Sequence, residues 1–454
     1  MMRETENGQT VAEAEAPSEL TLDDAVALAV KLHRNRKLDA AEALYQRILE
    51  VAPGHPDVLH FLGVLANQKG RPDDAIALIE QAISTVPDFP DFHNNLGNIL
   101  ALAGRLDEAE RHYRRVLALR PESPDTLSNL GTLCRAQNRF EEAEALLNNA
   151  LGIQPDHLKS LNNFGLLCDQ LERHDEAIDY YSRAISLMPQ NADGYHLLGA
   201  LYFTQGRLKE ASDVYRRWMD VMPDHPTPRH MYAACSGVDV PQRAADDYVE
   251  RTFDLFAESF EQQLQQKLSY RAPELVTDAV ARALPTPAEA LDVLDAGCGT
   301  GLCGPLVRPW ARRLVGVDLS SGMLQKASGK ACYDQLIKAE LTSWIDAHPG
   351  QFDLIISADT LCYFGSLAAP IHAAASALRN GGVLAFSVEA ADESSAGEGH
   401  RINPHGRYSH TISHVDACLA VAGLERRSID TAVLRTENGK PVDGLVVVAS
   451  KPQV

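Results

Sequence analysis

The residues best suited to chemistry form a glycine-rich turn in the second half of the chain. Residues 294–301 read Leu-Asp-Ala-Gly-Cys-Gly-Thr-Gly, and a short apolar run soon afterwards ends in Asp318. The apolar residues before Asp295 predict a buried strand, and the glycines let the following turn approach a ligand where a Cβ would collide. Asp318, at the end of the next predicted strand, is expected to accept hydrogen bonds from both hydroxyls of a ribose. The pattern therefore predicts a pocket for a nucleoside cofactor.

Two classes of cofactor fit this turn. Gly299, Gly301 and Gly304 satisfy Gly-x-Gly-x-x-Gly, the pattern of dinucleotide loops, but that pattern alone is weak evidence. A dinucleotide needs an anion site for its pyrophosphate, whereas S-adenosylmethionine carries an ammonium and a sulfonium, which Asp295 favours. The end of the chain also favours S-adenosylmethionine, because two strands joined at residues 438–439 complete a seven-stranded methyltransferase sheet. We therefore predict a methyltransferase, with a dinucleotide enzyme as the alternative.

Composition limits the class of protein. The chain has 454 residues, 45% of them hydrophobic, and a formal net charge of −20. No apolar run is long enough for a membrane helix, so we expect two or three soluble domains and no membrane partner. Residues 1–21 predict a disordered acidic tail, and the negative charge disfavours nucleic acid. The eight cysteines form no Cys-x-x-Cys pair, so we predict no metal site and a cytoplasmic location.

The first half of the chain is periodic. Alanines from Ala41 onward and glycines from Gly63 onward recur every 34 residues, which predicts pairs of amphipathic helices crossing closely at the small residues. A proline ends each pair with the same period: Pro53, Pro87, Pro121, Pro155, Pro189 and Pro223. The pattern resembles the tetratricopeptide repeat (TPR), with six repeats over residues 22–225. The resemblance implies an α-superhelix whose concave groove is lined by the first helix of each pair.

Three asparagines lie at equal spacing on the predicted groove. Asn95, Asn129 and Asn163 each stand two residues before a repeat glycine. An amide both donates and accepts hydrogen bonds, so such a row can hold an extended peptide by its backbone. The arrangement resembles the asparagine ladder of O-linked N-acetylglucosamine transferase and implies a protein or peptide partner. The alternative is that these amides only bond neighbouring repeats, and the sequence leaves both interpretations open.

The second half of the chain resembles a known class of enzymes. Residues 226–245 are expected to form a linker, and residues 246–285 a helical extension. Tyr-Arg-Ala-Pro-Glu-Leu at 270–275 and Gly-Arg-Tyr-Ser-His at 406–410, with the glycine turn, are similar to bacterial predicted methyltransferases that carry tetratricopeptide repeats. They are more distantly similar to the Williams-Beuren-region methyltransferase family. The resemblance implies a Rossmann-like, seven-stranded class I methyltransferase over residues 246–454, with Tyr270 and Arg271 near the cofactor carboxylate.

Strand order adds further cofactor contacts. The third predicted strand, residues 336–341, ends near the adenine, where Glu340 replaces the aspartate of many relatives. The fourth, residues 352–357, delivers Asp359 and Tyr363 to the active-site edge, and no Asn-Pro-Pro-Tyr turn follows for a nucleobase acceptor. The predicted cofactor-binding residues are Asp295, Gly297, Cys298, Gly299, Gly301, Asp318, Leu319, Glu340, Leu341, Asp359, Tyr270 and Arg271.

The segment after the fifth predicted strand, residues 389–411, is long enough for a loop that covers a substrate. Within it, Arg407, Tyr408 and His410 are the candidate catalytic residues. We expect Arg407 to pair with an acceptor carboxylate and His410 to take a proton from a nitrogen or hydroxyl acceptor. An ordinary solvated loop is the alternative.

The sequence as a whole predicts an α + α/β protein, in which an N-terminal superhelix recruits an acceptor to a C-terminal S-adenosylmethionine-dependent methyltransferase. The acceptor is expected to be a protein or a group tethered to one. Two alternatives remain: a small-molecule methyltransferase that uses its repeats for complex assembly, and a non-catalytic scaffold. Because the sulfonium is already a good leaving group, such an enzyme mainly aligns the acceptor with the methyl group. The acceptor therefore cannot be inferred from the glycine turn.

Overall fold

The computed structural model describes residues 20–257, 260–261, 269–284, 287–394, 397–437 and 439–453. The predicted tail, residues 1–21, lies almost wholly outside this part of the chain, as does Asn438 of the predicted terminal turn. The chain divides into two compact units, Met1–Met188 and Pro189–Val454.

The described part of the first unit consists of consecutive helix pairs. Several first helices begin with proline followed by aspartate, as at Pro56 and Pro90, because proline suits the first turn and a carboxylate favours the positive end of the helix dipole. The helices are α1 Leu22–Arg34, α2 Leu38–Val51, α3 Pro56–Gln68, α4 Pro72–Thr85, α5 Pro90–Leu102, α6 Leu106–Leu119, α7 Pro124–Ala136, α8 Phe140–Ile153, α9 Leu158–Gln170 and α10 His174–Leu187.

The repeat glycines lie where the two helices of a pair cross. A Cβ added to Gly97 would come within 2.7 Å of Cε1 of Tyr113, a side chain on the second helix of the same pair. Tyr113 and the small residue Ala109 are buried at this crossing. The contact is the close approach that the 34-residue pattern predicts, since only glycine leaves room for the facing ring.

In the described residues, helices also form the start of the second unit. They are α11 Ala192–Thr204, α12 Leu208–Val221, α13 Pro226–Ser236, α14 Asp246–Phe256 and α15 Ala272–Ala283. Helix α13 lies in the stretch expected to be a linker, residues 226–245. Pro226 starts it, the His225 side chain accepts a hydrogen bond from Thr227 N, and Gly237 ends it with a left-handed φ. Part of the expected linker is therefore helical, and Gly237 ends that helix because glycine adopts a left-handed φ without strain.

The sheet of the second unit has nine strands in the described residues. They are β1 Leu291–Ala296, β2 Ala311–Asp318, β3 Gln335–Lys338, β4 Phe352–Ser357, β5 Leu378–Ala390, β6 His400–Ile402, β7 Tyr408–His410, β8 Glu425–Glu437 and β9 Lys440–Ser450. Parallel pairing runs β3-β2-β1-β4-β5, and antiparallel β9 and then β8 follow β5. These seven strands confirm the predicted fold class, helical repeats followed by a Rossmann-like sheet.

The segment predicted to be a loop, residues 389–411, contains β6 and β7 instead. These two strands form an antiparallel hairpin, and β7 pairs in parallel with the end of β5 at Glu389 and Ala390. The sequence did not reveal the hairpin because strands of three residues are too short to show an alternating pattern.

Helices cover both faces of the sheet. One face packs against α15 through Val276 and Val280. The other packs against helices that include α19 (Ala368–Ala377) and α20 (Ile412–Val421), through Ile371 and Val415. Among the described residues, this unit also contains α16 Gly304–Val307, α17 Ser321–Ser328 and α18 Leu341–Asp346. The central strands are therefore buried on both sides, as near-continuous apolar strands require.

Candidate cofactor and active site

A cavity of about 200 Å³ lies at the carboxyl ends of β1, β2 and β4. The strand order reverses between β1 and β4, since β2 and β3 lie on one side of β1 and β5 on the other. Ligands of open α/β sheets bind at such a switch point. The glycine turn after β1 lines the cavity, and so does Asp318, the last residue of β2.

Most of the predicted cofactor residues line this one cavity. They are Gly297, Cys298, Gly299, Asp318, Leu319, Glu340, Leu341, Asp359 and Tyr270. Asp295, Gly301 and Arg271 do not line it. The structure therefore brings together residues that are separated by up to 89 positions in the chain, from Tyr270 to Asp359. All but Tyr270 lie at or after the carboxyl ends of parallel strands, which meet at one edge of the sheet, and Tyr270 lies just before α15.

Asp318 connects the glycine turn to the next helix. Its Oδ2 accepts a hydrogen bond from the backbone N of Gly299 at 2.8 Å, and its Oδ1 accepts from Ser320 N at 2.9 Å. Burial raises the pKa of this carboxyl. Each carboxylate oxygen has a second lone pair, so Asp318 can hold the turn and still accept hydrogen bonds from a ligand.

Asp295 lies behind the turn and not in the cavity. The residue is 1% exposed, and its Oδ2 accepts a hydrogen bond from the Tyr333 hydroxyl at 2.6 Å. Gly301 packs beside the same ring. Burial raises the pKa of Asp295 to about 7. Asp295 and Gly301 therefore lie behind the turn, and contact between Asp295 and a cofactor cation stays a prediction.

The structure around Glu340 differs from the sequence prediction. The predicted strand 336–341 stops at Lys338, and Glu340 is the N-cap of α18, accepting hydrogen bonds from Thr342 N at 3.0 Å and Ser343 N at 2.8 Å. Arg243 also lies 3.6 Å from its carboxylate. Glu340 lines the cavity but its oxygens already serve the helix terminus, so its contact with an adenine is a prediction that competes with capping.

Tyr270 and Arg271 separate at the start of α15. Tyr270 lines the cavity, and burial raises its pKa. The Arg271 side chain is exposed, while its backbone N–H donates to Leu434 O at 2.8 Å. Adjacent residues before a helix point in different directions, so only the tyrosine of this pair reaches the cavity.

The three candidate catalytic residues do not lie together. Tyr408 is fully buried, and its hydroxyl donates to Pro241 O at 2.6 Å. His410 is also fully buried, and its Nε2 lies 2.8 Å from Phe364 O. Burial lowers the pKa of His410 to about 4. Because side chains two positions apart in a strand share a face, Tyr408 and His410 point the same way. Neither lines the cavity, and the contacts that the structure gives them are packing contacts.

Arg407 does line the cavity, within a network of buried charges that sequence reasoning missed. Its Nε lies 2.6 Å from Glu389 Oε1, and its Nη2 pairs with Glu437. Arg435 in β8 is 3% exposed and pairs with the same two carboxylates and, at 2.6 Å, with Asp359 Oδ2. We call these five residues the acceptor-end network. The available sequence signal was Arg435 itself, an arginine directly after the short apolar run at residues 432–434 of β8.

Helix α14 covers the cavity. Val249 and Phe253 line it, and the Phe253 ring meets the Tyr363 ring edge-on at 5.5 Å. The Asp254 carboxylate holds the helix against the sheet by accepting hydrogen bonds from Ser320 Oγ at 2.5 Å and Gly322 N at 3.1 Å. Part of the predicted helical extension therefore forms one wall of the site.

The groove asparagines donate to the preceding repeat. Asn95 Nδ2 donates to His60 Nε2 at 2.7 Å, Asn129 Nδ2 to Asn98 Oδ1 at 2.9 Å, and Asn163 Nδ2 to Ser128 Oγ at 2.8 Å. These bonds link first helices of neighbouring repeats, as the structural alternative predicts. Within the described residues, the side-chain oxygens of Asn95 and Asn163 have no donor.

Two broader findings bear on the kind of site. Among the described residues, no group of three or more histidine, cysteine or acidic side chains is arranged to hold a metal ion. The described helices also include none with the length and apolar character that a membrane span needs.

Family models match both parts of the chain. One described as a methyltransferase domain matches residues 268–424. Models described as tetratricopeptide repeats match residues 32–99, 90–156, 122–190 and 170–235. The predicted combination of repeats and methyltransferase domain is confirmed.

Known relatives match the methyltransferase class over short stretches. Human methyltransferase-like protein 27 is 36% identical over 106 residues, which are 23% of this chain and 43% of that protein. The malonyl-(acyl-carrier protein) O-methyltransferase of Acetivibrio thermocellus is 35% identical over 107 residues, 21% of this chain and 35% of that enzyme. The chain thus spans less than half the length of these relatives. Among solved structures, the type IV pilus biogenesis factor PilW is 21% identical with a TM-score of 0.41, covering 45% of this chain and 94% of that one.

Proposed function

From a chain that joins tetratricopeptide repeats to a methyltransferase domain, we infer an enzyme that transfers the methyl group of S-adenosylmethionine to an acceptor recruited by the repeats. The single observation that carries the proposal is the cavity at the switch point, where the glycine turn and Asp318 meet. The acceptor is proposed to be a protein or a group tethered to one.

The residues present fit the cofactor. Asp318 would hold the ribose, the turn at Gly297 and Gly299 would lie against the amino-acid part, and Leu341 would pack on the adenine. An added Cβ at Gly299 would meet nothing within 4 Å, so the turn leaves open space beside its backbone for a ligand. When bound, S-adenosylmethionine supplies a methyl group on a positively charged sulfur. The chain's own part is to bind, to align the acceptor and to exclude water under α14.

Recruitment by the repeats rests on two supports. Repeats of this type stack into an extended surface for a partner, and the side-chain oxygens of Asn95 and Asn163 remain available to a partner's backbone N–H groups. The enzyme from Acetivibrio thermocellus is named for an acceptor tethered to a carrier protein, which supports a tethered acceptor here. The surface of the repeats would then recognise the carrier protein, and the cavity would bind the group that the carrier protein holds.

One observation favours a second candidate. The amide N–H groups of the three groove asparagines are already used between repeats. If those amides only stabilise the repeats, the protein is a small-molecule methyltransferase that uses its repeats for assembly. A non-catalytic scaffold is disfavoured because Asp318, Gly297 and Gly299 are all present around an open cavity.

The cofactor proposal is tested by calorimetry of the full chain with S-adenosylhomocysteine. We expect binding of one molecule per chain, and competition by S-adenosylmethionine. Binding of NAD in place of S-adenosylhomocysteine would reject the methyltransferase proposal and restore the dinucleotide alternative.

The recruitment proposal is tested with the double variant Asn95→Ala, Asn163→Ala, which leaves the more buried Asn129 in place. Partners captured on the full chain are incubated with methyl-labelled S-adenosylmethionine, and label transferred to them is counted. The control variant Asn148→Ala, Asn149→Ala changes two exposed asparagines on α8. We expect the groove variant to lose labelled partner and to keep its affinity for S-adenosylhomocysteine. Equal labelling of partners by the groove variant and the control variant would reject recruitment through Asn95 and Asn163 and would favour the small-molecule methyltransferase.

A further inference from the structure

The acceptor-end network contains more carboxylates than guanidinium groups. Asp359, Glu389 and Glu437 face Arg407 and Arg435, so the five side chains sum to one negative charge when all are ionised. Arg407, Arg435, Asp359 and Glu437 line the same cavity as the glycine turn. The methyl group must be delivered to an acceptor within this cavity, so the charges of the network select the acceptor.

Both arginines are already engaged. Arg407 pairs with Glu389 and Glu437, and Arg435 pairs with those two and with Asp359. A carboxylate acceptor would have to displace one of these carboxylates from a buried arginine, and the displaced group would be left in a water-poor site. The network therefore opposes the acidic acceptor that the sequence suggested for Arg407.

Asp359 differs from the other two carboxylates. Its Oδ2 pairs with Arg435, but its Oδ1 is buried and has no hydrogen-bond partner within the described residues. Its backbone has a left-handed φ of 56° and is held by a hydrogen bond from Asp359 N to Ser387 Oγ at 2.9 Å. Such a backbone conformation is uncommon for a residue with a side chain and concentrates at functional sites. A buried carboxylate oxygen without a donor is a site that a bound N–H group would satisfy.

The surroundings of Asp359 also suit a cation. Tyr270, Tyr363 and Phe253 line the cavity with it, and aromatic faces attract ammonium groups. Burial raises the pKa of the Asp359 carboxyl, which makes it a stronger proton acceptor than an exposed aspartate.

We propose that the acceptor is an aliphatic amine, which Asp359 Oδ1 binds in its ammonium form and from which it takes a proton before methylation. The inference rests on the proposed methyltransferase function and specifies its acceptor. In the reaction, one N–H proton of the bound ammonium first passes to Asp359, which frees the nitrogen lone pair. That lone pair forms the new N–CH₃ bond while the C–S bond breaks. The electron pair of the C–S bond stays on sulfur, which becomes a neutral thioether, and the methylated product leaves as a secondary ammonium. An aliphatic hydroxyl fits less well, since a carboxylate is too weak a base to remove its proton.

The test uses n-butylammonium and butyrate as matched probes of opposite charge. Each is titrated by calorimetry into the full chain loaded with S-adenosylhomocysteine, and transfer of labelled methyl from S-adenosylmethionine to butylamine is measured separately. We expect butylammonium to bind at least tenfold more tightly than butyrate, and butylamine to become labelled. The proposal assigns Asp359 to the acceptor, whereas the sequence analysis placed it among the cofactor-binding residues. In Asp359→Asn, butylammonium binding should therefore fall at least tenfold and labelling at least a hundredfold, while the affinity for S-adenosylhomocysteine stays within threefold of the wild type. The control Asp416→Asn, which changes an exposed ion pair with Arg426, should alter none of these values.

The outcomes separate the two proposals. If S-adenosylhomocysteine does not bind the wild-type chain, the proposed function fails first. If it binds but butyrate is preferred, or butylamine stays unlabelled, only the amine acceptor is overturned. A large loss of S-adenosylhomocysteine affinity in a folded Asp359→Asn variant would instead assign Asp359 to the cofactor. Should that variant fail to fold, the comparison of the two probes on the wild-type chain still decides the acceptor class.

Discussion

Replacing Asp318 by alanine removes two kinds of hydrogen bond at once. In the protein alone, the carboxylate accepts from Gly299 N at 2.8 Å and from Ser320 N at 2.9 Å. With the cofactor bound, we expect its remaining lone pairs to accept from both ribose hydroxyls. The variant Asp318→Ala should therefore lose the ribose contacts and also loosen the glycine turn that forms the cavity.

The size of the effect follows from those bonds. Hydrogen bonds to a charged group contribute about 1.5–3 kcal/mol each, and water replaces part of what is lost. A net loss of about 3 kcal/mol corresponds to a roughly hundredfold weaker complex. Asp318→Asn keeps one acceptor oxygen but turns an NH₂ group toward a backbone N–H. We therefore expect it to bind S-adenosylhomocysteine about tenfold more weakly than the wild type.

The measurement is calorimetry of S-adenosylhomocysteine with each variant, and Asp334→Ala is the matched control. Asp334 likewise accepts from a backbone N, that of Leu314 at 2.7 Å, and pairs with Arg308 at 2.6 Å, but it does not line the cavity. Loss of a similar structural contact there should leave the affinity within threefold. If Asp318→Ala also stays within threefold of the wild type, the assignment of the ribose to Asp318 is refuted.

Three further predictions concern the turn and its surroundings. Gly299→Val should fold with a strained backbone, because φ is +53° at this position. Its side chain should fill the cavity and weaken S-adenosylhomocysteine binding more than a hundredfold, and an unchanged affinity by calorimetry would show that the ligand lies elsewhere. Burial raises the pKa of Asp295 in the folded protein to about 7. The contribution of this carboxyl group to folding stability is therefore fully present below its ordinary pKa, and it is lost as pH rises from about 4 through about 7. Asp295→Asn cannot ionise and should gain stability relative to the wild type across that window, by up to about 4 kcal/mol at 1.36 kcal/mol per pKa unit; parallel profiles of melting temperature against pH would contradict this. His410→Ala should lower the free energy of unfolding by about 1–3 kcal/mol, because the carbonyls of Phe364 and Gly365 lose their donor. The affinity for S-adenosylhomocysteine should not change, and a large loss of affinity with an unchanged melting temperature would return His410 to the active site.

Local patterns in the sequence were enough to predict the domain types. The 34-residue spacing of prolines and glycines predicts helix pairs because each helix must bury an apolar face and each crossing needs a small residue. The glycine turn and Asp318 predict the cofactor edge because a strand, a turn and the next helix are contiguous in the chain. Contacts within such a unit are short in sequence, so residue type and spacing determine them.

Other features depend on elements far apart in the chain. Arg435 meets Asp359 across 76 positions and Glu389 across 46. No local pattern specifies that β5 and β8 lie on either side of β9 and end at the same edge of the sheet. The direction of each side chain on β7 depends on how the hairpin joins β5, which is why Arg407 lines the cavity while Tyr408 and His410 do not.

The sequence by itself thus determined that this chain carries helical repeats and a methyltransferase-type sheet, since both follow from periodic burial and a contiguous turn. Only the tertiary structure decided which polar groups remain available. Asp295 and the amide N–H groups of the groove asparagines have the right chemistry for a ligand, yet Tyr333 and neighbouring repeats use them. The side-chain oxygens of Asn95 and Asn163 are left without a donor within the described residues. A buried polar group takes the nearest partner that packing offers, and packing is settled only when the whole chain has folded.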